Sequence, residues 1–380
     1  MTDDAEAGPS ALPPLPLPAG IRSRRVPQAN GLEMQVLEAG RPDDPCIVLL
    51  HGFPELAYSW RAVMPALAGA GFHVVAPDQR GFGRTTGWDD RYDGDLASFR
   101  QLNLVTDLLA LLSAMSIPRV AALVGHDFGS VVAAWAALIR PDVFPAVVLM
   151  SAPFAGPPAL AMSEAPAFDL DRALAGLSPP RRHYTRFFGT PGANADMRDA
   201  PQGLAAFLRA YFHAKSGDFA ANAPFPLGAP SPEAFSKLPA YYVMQRDKGM
   251  AETVAAMAPS PAEAQACRWL TEEDLAVYAQ EFARTGFQGG LNWYRMAADP
   301  ALRVFSGRTI DVPAAFIAGA RDWGVYQSPG AFEAMATRAC RRFTTSTLIP
   351  GAGHWVQQEA PEATSSAILA FVAASAPATS

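Results

Sequence analysis

The stretch Val120-Ala-Ala-Leu-Val-Gly-His-Asp-Phe-Gly-Ser130 decides how the rest of the chain is read. Its apolar first half suits a strand buried on both faces of a sheet, and the run Val131 to Ile139 suits a helix packed on that sheet. Asp127 falls on the turn between them. Gly125 and Gly129 flank it in the nucleophile-elbow spacing G-x-Nuc-x-G, where small residues are needed because strand and helix approach closely. The elbow usually carries Ser, and here it carries a carboxylate. The plainer alternative is an Asp that only N-caps the helix beginning near Phe128, and the surrounding chain weighs against it.

Working outward, the same rhythm repeats. Runs at about 21–28 and 33–39 are separated by Asn30-Gly31, the dipeptide favoured in a type I′ hairpin, and predict an antiparallel edge. Cys46-Ile-Val-Leu-Leu50 and Phe72-His-Val-Val-Ala76 read as buried strands, and Leu102 to Met115 as an amphipathic helix ending before Pro118. Ala146-Val-Val-Leu-Met150, Val312 to Ala318 and Phe343 to Ile349 continue the strands, and a last helix is expected from about Pro361 to Ala373. Strands alternating with helices predict an α/β fold with a mostly parallel sheet and helices on both faces. The rhythm breaks between about 154 and 308, a Pro-punctuated segment rich in Ala, Phe, Tyr and Arg with no clear strands. It is expected to be a helical cap inserted between two parts of the core, 21–153 and 309–380, and lying over the sheet's carboxyl edge, where ligands of open α/β sheets bind. Residues 1–20, with five prolines, are expected to form a disordered tail.

Composition narrows the function classes. Half of the 380 residues are apolar, the formal net charge is −6, and only three of the thirty basic residues are lysines. No basic stripe is available for nucleic acid, and no apolar run is long enough to cross a bilayer. Cys46, Cys267 and Cys340 are too few and too scattered for a disulfide framework or a cysteine metal site. A cytoplasmic protein, monomer or homodimer, without metal or cofactor is the expectation.

Three further features converge on the elbow. The strand ending at Leu50 runs into His51-Gly-Phe-Pro-Glu55, a sharp loop suited to a cis Phe53-Pro54 peptide and able to bring the Phe53 N–H beside that of Phe128 as an oxyanion hole. Asp322 follows the strand ending near Ala318, and His354 follows the strand ending near Ile349. Nucleophile, acid and histidine in that order, each just past a strand's carboxyl end, is an arrangement for nucleophilic catalysis followed by hydrolysis. His51, His73 and Asp78 read as structural, and His126 as pointing away from the cavity.

His51-Gly-Phe-Pro-Glu55, Asp78-Gln-Arg-Gly-Phe-Gly83, Gly125-His-Asp-Phe-Gly129, Leu291-Asn-Trp-Tyr-Arg295 and Gly353-His-Trp355 together resemble the α/β-hydrolase-fold soluble epoxide hydrolases, over most of the chain from about residue 25. The resemblance implies that Asp127 is the nucleophile, that His354 with Asp322 activates water, and that Tyr294 is one of two lid tyrosines that bind the epoxide oxygen. It points to Tyr184, in a segment running to Pro191-Gly192, as the second, with Tyr211, Tyr241, Tyr242 and Tyr278 as alternatives expected instead to serve packing or the rim, and Phe53, Phe128, Trp293 and Trp355 are the expected surroundings of a small hydrophobic epoxide. The chain departs from the common pattern at Phe128, where many relatives have Trp, and in extra residues around 249–266.

The residue types suit that chemistry on their own terms. A carboxylate that opens an epoxide forms an ester, whose carbonyl water can attack; a Ser ether would offer none. Two alternatives share the fold. A haloalkane or haloacid dehalogenase would use the same Asp, but needs N–H donors for halide or an Arg clamp where this chain has Phe53 and Phe128. A non-catalytic ligand receptor would keep the constellation without turnover.

Overall fold

The computed structural model describes residues 12–160, 169–297 and 299–376. The hairpin comes first: β1 (Arg22–Ala29) and β2 (Leu32–Ala39) pair antiparallel across Asn30 and Gly31, whose φ values of 53° and 79° are those the I′ turn demands. Then follow β3 (Cys46–Leu50), β4 (His73–Pro77), β5 (Ala122–His126) and β6 (Val147–Met150). After the insert, which holds the short strands β7 (Arg181–His183) and β8 (Val243–Gln245), β9 (Ile310–Gly319) and β10 (Cys340–Ile349) complete the sheet. Its order is β1-β2-β4-β3-β5-β6-β9-β10, parallel from β4 to β10 and antiparallel at the β1–β2 edge.

Every residue of β3, β4, β5 and β6 is buried, because helices cover both faces. One apolar core lies under the helices Gln101–Ala114 and Phe128–Ile139 and runs on into the insert; the other lies under Met64–Gly69 and Pro361–Ser375. No helix among the described residues is long and apolar enough to cross a membrane.

Two expectations are corrected. The insert is mainly helical, but β7 and β8 form an antiparallel ladder in it, pairing Arg181 with Gln245 and His183 with Val243. Three-residue strands some sixty positions apart carry no period to read. The expected solvated tail lies outside the described residues over 1–11, yet 12–20 is seated on the fold: Leu15 and Leu17 pack against the core and the Tyr58 hydroxyl donates to the Pro16 carbonyl at 3.2 Å. Two leucines among the prolines supply the apolar surface that a free tail would lack. The Phe53-Pro54 peptide is cis.

Candidate active site

The elbow is built by close approach. A Cβ on Gly125 would stand 2.1 Å from the Gly129 carbonyl oxygen, and one on Gly129 would stand 2.3 Å from that of Leu50, so only hydrogen fits at either place. Between them Asp127 is held at φ 54°, ψ −119°, a conformation that costs a non-glycine residue about 1–3 kcal/mol. Its N–H donates to the Met150 carbonyl at 3.1 Å, which ties the turn to the neighbouring strand. The capping alternative does not hold, since the Asp127 side chain accepts no hydrogen bond from its helix. Instead Oδ1 accepts the Phe53 N–H at 3.0 Å and Oδ2 stands 3.4 Å from His354 Nε2.

The other loops arrive as their strands predict. His354 Nδ1 lies 3.0 and 3.2 Å from the two oxygens of Asp322, whose Oδ1 also accepts the Gly324 N–H at 2.6 Å. Burial would raise the pKa of Asp322, but the His354 imidazole and the Gly324 N–H outweigh it and the net direction is down. At Asp127 burial is likewise outweighed, by His354 first and then by the charges of Lys215 and His126. Both acids are therefore carboxylates at neutral pH. His354 Nε2 has no hydrogen-bond partner among the described residues, so it is left to face whatever occupies the space beside Asp127.

The insert brings two phenols to the same place. Tyr294, on the helix Gln288–Met296, packs edge-on against Phe128, Phe53 and Phe188 with centroids 4.5, 5.4 and 5.0 Å apart, and Tyr184 lies 5.7 Å away. The Tyr184 hydroxyl donates to Gln327 Oε1 at 3.2 Å. Burial pushes both phenols above their ordinary range, and the Asp127 charge adds to it, so both keep their protons. The Phe128 amide opens its helix, where the first N–H groups lack an intrahelical acceptor. Trp293 and Trp355 stand a layer behind this wall. Neither has accessible surface, and their N–H groups donate to the Arg80 and Phe212 carbonyls at 2.9 and 2.7 Å. Trp293 backs Phe128 and Trp355 backs His354, with centroids 5.6 and 4.6 Å apart.

His51 and Asp78 brace loops, while His73, inside β4, has its Nε2 3.0 Å from Glu38 Oε1 of β2. His51 accepts the Gln79 N–H at 3.1 Å, and burial pulls its pKa down to about 4. Asp78 accepts the Ala57 and Arg84 N–H groups at 2.8 and 2.9 Å. His126 points away from Asp127 toward Glu55 Oε2 at 2.6 Å and the His354 carbonyl at 2.7 Å. Both ring nitrogens face acceptors, so this imidazole is a cation paired with Glu55.

Glu55, like Lys215, is a buried charged residue near the site to which the sequence reading gave no role. Its oxygens also accept the Gly52 N–H at 3.1 Å and the Gln357 amide at 2.7 Å. Burial opposes both charges of the pair, yet each partner outweighs it, holding Glu55 below and His126 above their ordinary values. The carboxylate's contribution is present above its ordinary pKa of about 4.3 and is lost as pH falls through the depressed folded value; the imidazolium's is present below about 6.5 and is lost as pH rises through the raised one. Glu55→Ala is expected to cost about 3–5 kcal/mol near neutrality by leaving a buried imidazolium unpaired. Denaturant titrations of both proteins across pH should show that difference shrink toward either extreme. A difference that is flat with pH would show that packing, not charge, is lost.

Comparison with known proteins bears on the fold and the family. A family profile described as alpha/beta hydrolase fold matches residues 45–361. The chain is 35% identical over 364 residues to epoxide hydrolase A of Mycobacterium tuberculosis, covering 93% of this chain and 98% of that one. Against epoxide hydrolase 2 of Siraitia grosvenorii the identity is 31% over 349 residues, covering 90% and 96%. The solved structure of an epoxide hydrolase from an endophytic Streptomyces superposes with a TM-score of 0.75 at 30% identity, covering 94% of this chain and 96% of that one. With its eight-stranded sheet, its helical insert and these full-length matches, the chain belongs to the epoxide hydrolases of the α/β-hydrolase fold.

Proposed function

We propose that this chain converts small hydrophobic epoxides to vicinal diols in the cytoplasm through an ester on Asp127, with residues 154–308 acting as a cap over a core of 21–153 and 309–380. The observation that carries the reading is the carboxylate at 127, turned away from its helix and lying between the Phe53 N–H at 3.0 Å and His354 Nε2 at 3.4 Å. Ring opening begins when a carboxylate oxygen of Asp127 attacks an epoxide carbon; the C–O bond of the ring breaks and its electron pair stays on oxygen. Tyr184 and Tyr294 donate to that oxygen, and a phenol proton neutralises it. The rings of Phe53 and Phe128, backed by Trp293 and Trp355, keep water away from this step.

Hydrolysis follows on the same side chain. His354 Nε2 takes a proton from water as its oxygen adds to the ester carbonyl, and Asp322 steadies the imidazolium that results. The Phe53 and Phe128 amides hold the oxyanion. Its collapse breaks the ester C–O bond; the diol oxygen takes the proton still carried by the added hydroxyl, which restores the Asp127 carboxylate, and the imidazolium proton returns to the phenolate left by ring opening. The dehalogenase reading lacks a halide grip here, because the Phe53 and Phe128 side chains have no donor and the Trp293 N–H is already spent on Arg80.

One labelling experiment tests the route. In a single turnover in heavy-oxygen water, one label is expected in the peptide containing Asp127 and none in the diol, because one diol oxygen is the epoxide's own and the other comes from the carboxylate. Label in the diol alone would mean that water attacks the epoxide directly.

A further inference from the structure

Lys215 is the one fully buried lysine of the three, and nothing in the mechanism above uses it. It ends the helix Leu204–Lys215 in the insert, and its carbonyl accepts the His354 N–H at 2.9 Å. The backbone is stitched to the histidine loop a second time, since Glu359 accepts the N–H groups of Gly217, Gly353 and Trp355 at 2.7, 2.8 and 2.9 Å. The side chain turns into an aromatic cage: Nζ lies 5.6, 5.2 and 5.3 Å from the ring centroids of Tyr211, Tyr242 and Trp355. Trp355 in turn lies against His354.

Ring faces stabilise a desolvated ammonium without neutralising it. No carboxylate among the described residues stands within salt-bridge distance of Lys215, yet its charge acts on Asp127, Asp322 and Glu55. The cation is therefore held in place and its field is left available to the site. Burial lowers its pKa, and those three acids oppose the shift.

The charge on Asp127 changes twice in a catalytic cycle. The carboxylate is anionic at rest and becomes a neutral ester as its charge passes toward Tyr184 and Tyr294. It becomes anionic again when water adds. A fixed cation stabilises the first and third of these states relative to the second, so it favours addition to the ester while lending nothing to its formation. We propose that Lys215 is an electrostatic positioning residue for the second half-reaction, its caged ammonium stabilising the negative charge that returns to Asp127 when water adds to the ester. The proposal rests on the covalent route given above.

The test is single-turnover kinetics with styrene oxide, following the alkylated protein by acid quench and intact mass. Lys215→Met should leave alkylation unchanged or faster and slow hydrolysis about 10- to 100-fold, the range one charge interaction commands at an effective dielectric of about 20. Lys215→Arg should recover most of the loss. An equal fall in both rates, or no fall in hydrolysis, overturns the proposal.

If Lys215→Met does not fold, the wild-type enzyme decides. The groups facing Lys215 are Asp127, Asp322 and Glu55, with His126 beyond Glu55 and His354 beyond Trp355, and the phenols of Tyr211 and Tyr242, which burial holds well above their ordinary value. As pH rises through the titration of Lys215, the steady-state fraction of ester should rise; a constant fraction up to the alkaline limit overturns the proposal. The heavy-oxygen experiment separates the two ideas. Label in Asp127 without the kinetic split removes only the role of Lys215, whereas no label in Asp127 removes both.

Discussion

His354→Gln is expected to turn the enzyme into a single-use reagent: it alkylates itself on Asp127 and stops. The two half-reactions ask different things of the site. Alkylation needs an ionised carboxylate aimed at a strained carbon: without the imidazole, Lys215 and His126 still favour the ionised form of Asp127, and its aim rests on the Phe53 N–H and the strained elbow. Hydrolysis needs a base within reach of water beside the ester. His354 Nε2 stands 3.4 Å from Asp127 and is otherwise unpartnered among the described residues, while Nδ1 is steadied by Asp322. A glutamine amide accepts no proton at neutral pH, so hydrolysis should fall by about 10³-fold or more. Intact-mass measurement should show the protein heavier by the mass of the epoxide, stable over hours. Lost turnover with no adduct would mean that His354 serves ring opening instead.

The second large effect is expected from the phenols. Tyr184→Phe or Tyr294→Phe alone should slow alkylation about 10²-fold, and the double variant by more than the product of the two, which is about 10⁴-fold, because the remaining hydroxyl partly covers for the missing one only in the single variants. The surroundings explain the size. Tyr294 is packed among Phe128, Phe53 and Phe188, and a developing alkoxide placed there without a donor has neither water nor dipole to stabilise it. The loss should appear in the burst rate of alkylation and leave the hydrolysis rate of preformed ester nearly unchanged. Equal burst rates in the double variant and the wild type would remove the tyrosines from the reaction.

Much of this molecule was legible in one dimension. β3 occupies the residues its apolar run marks, β4 is displaced by one, and Asn30-Gly31 makes the turn its φ requirement predicts. The loops carrying Asp322 and His354 were found because a parallel sheet places the carboxyl ends of its strands along one edge, so order and spacing suffice to bring His354 beside Asp127 and Asp322 to the far nitrogen of its ring. Tyr184 and Tyr294 entered through resemblance alone, since a phenol in a Pro-broken helical segment has no local mark of its role.

What the sequence by itself determined is therefore the set of features that depend on near neighbours: the alternation of strands and helices, the glycines of the elbow, and the loops that end strands. Only the tertiary structure decided which charges lie in a low dielectric and opposite what. Glu55 meets His126 across 71 positions, and Lys215 sits under Trp355, although each reads locally as an ordinary polar residue. The reason is physical: periodicity is a property of a segment, whereas burial and the Coulomb energy of a charge depend on side chains delivered by segments far apart in the chain.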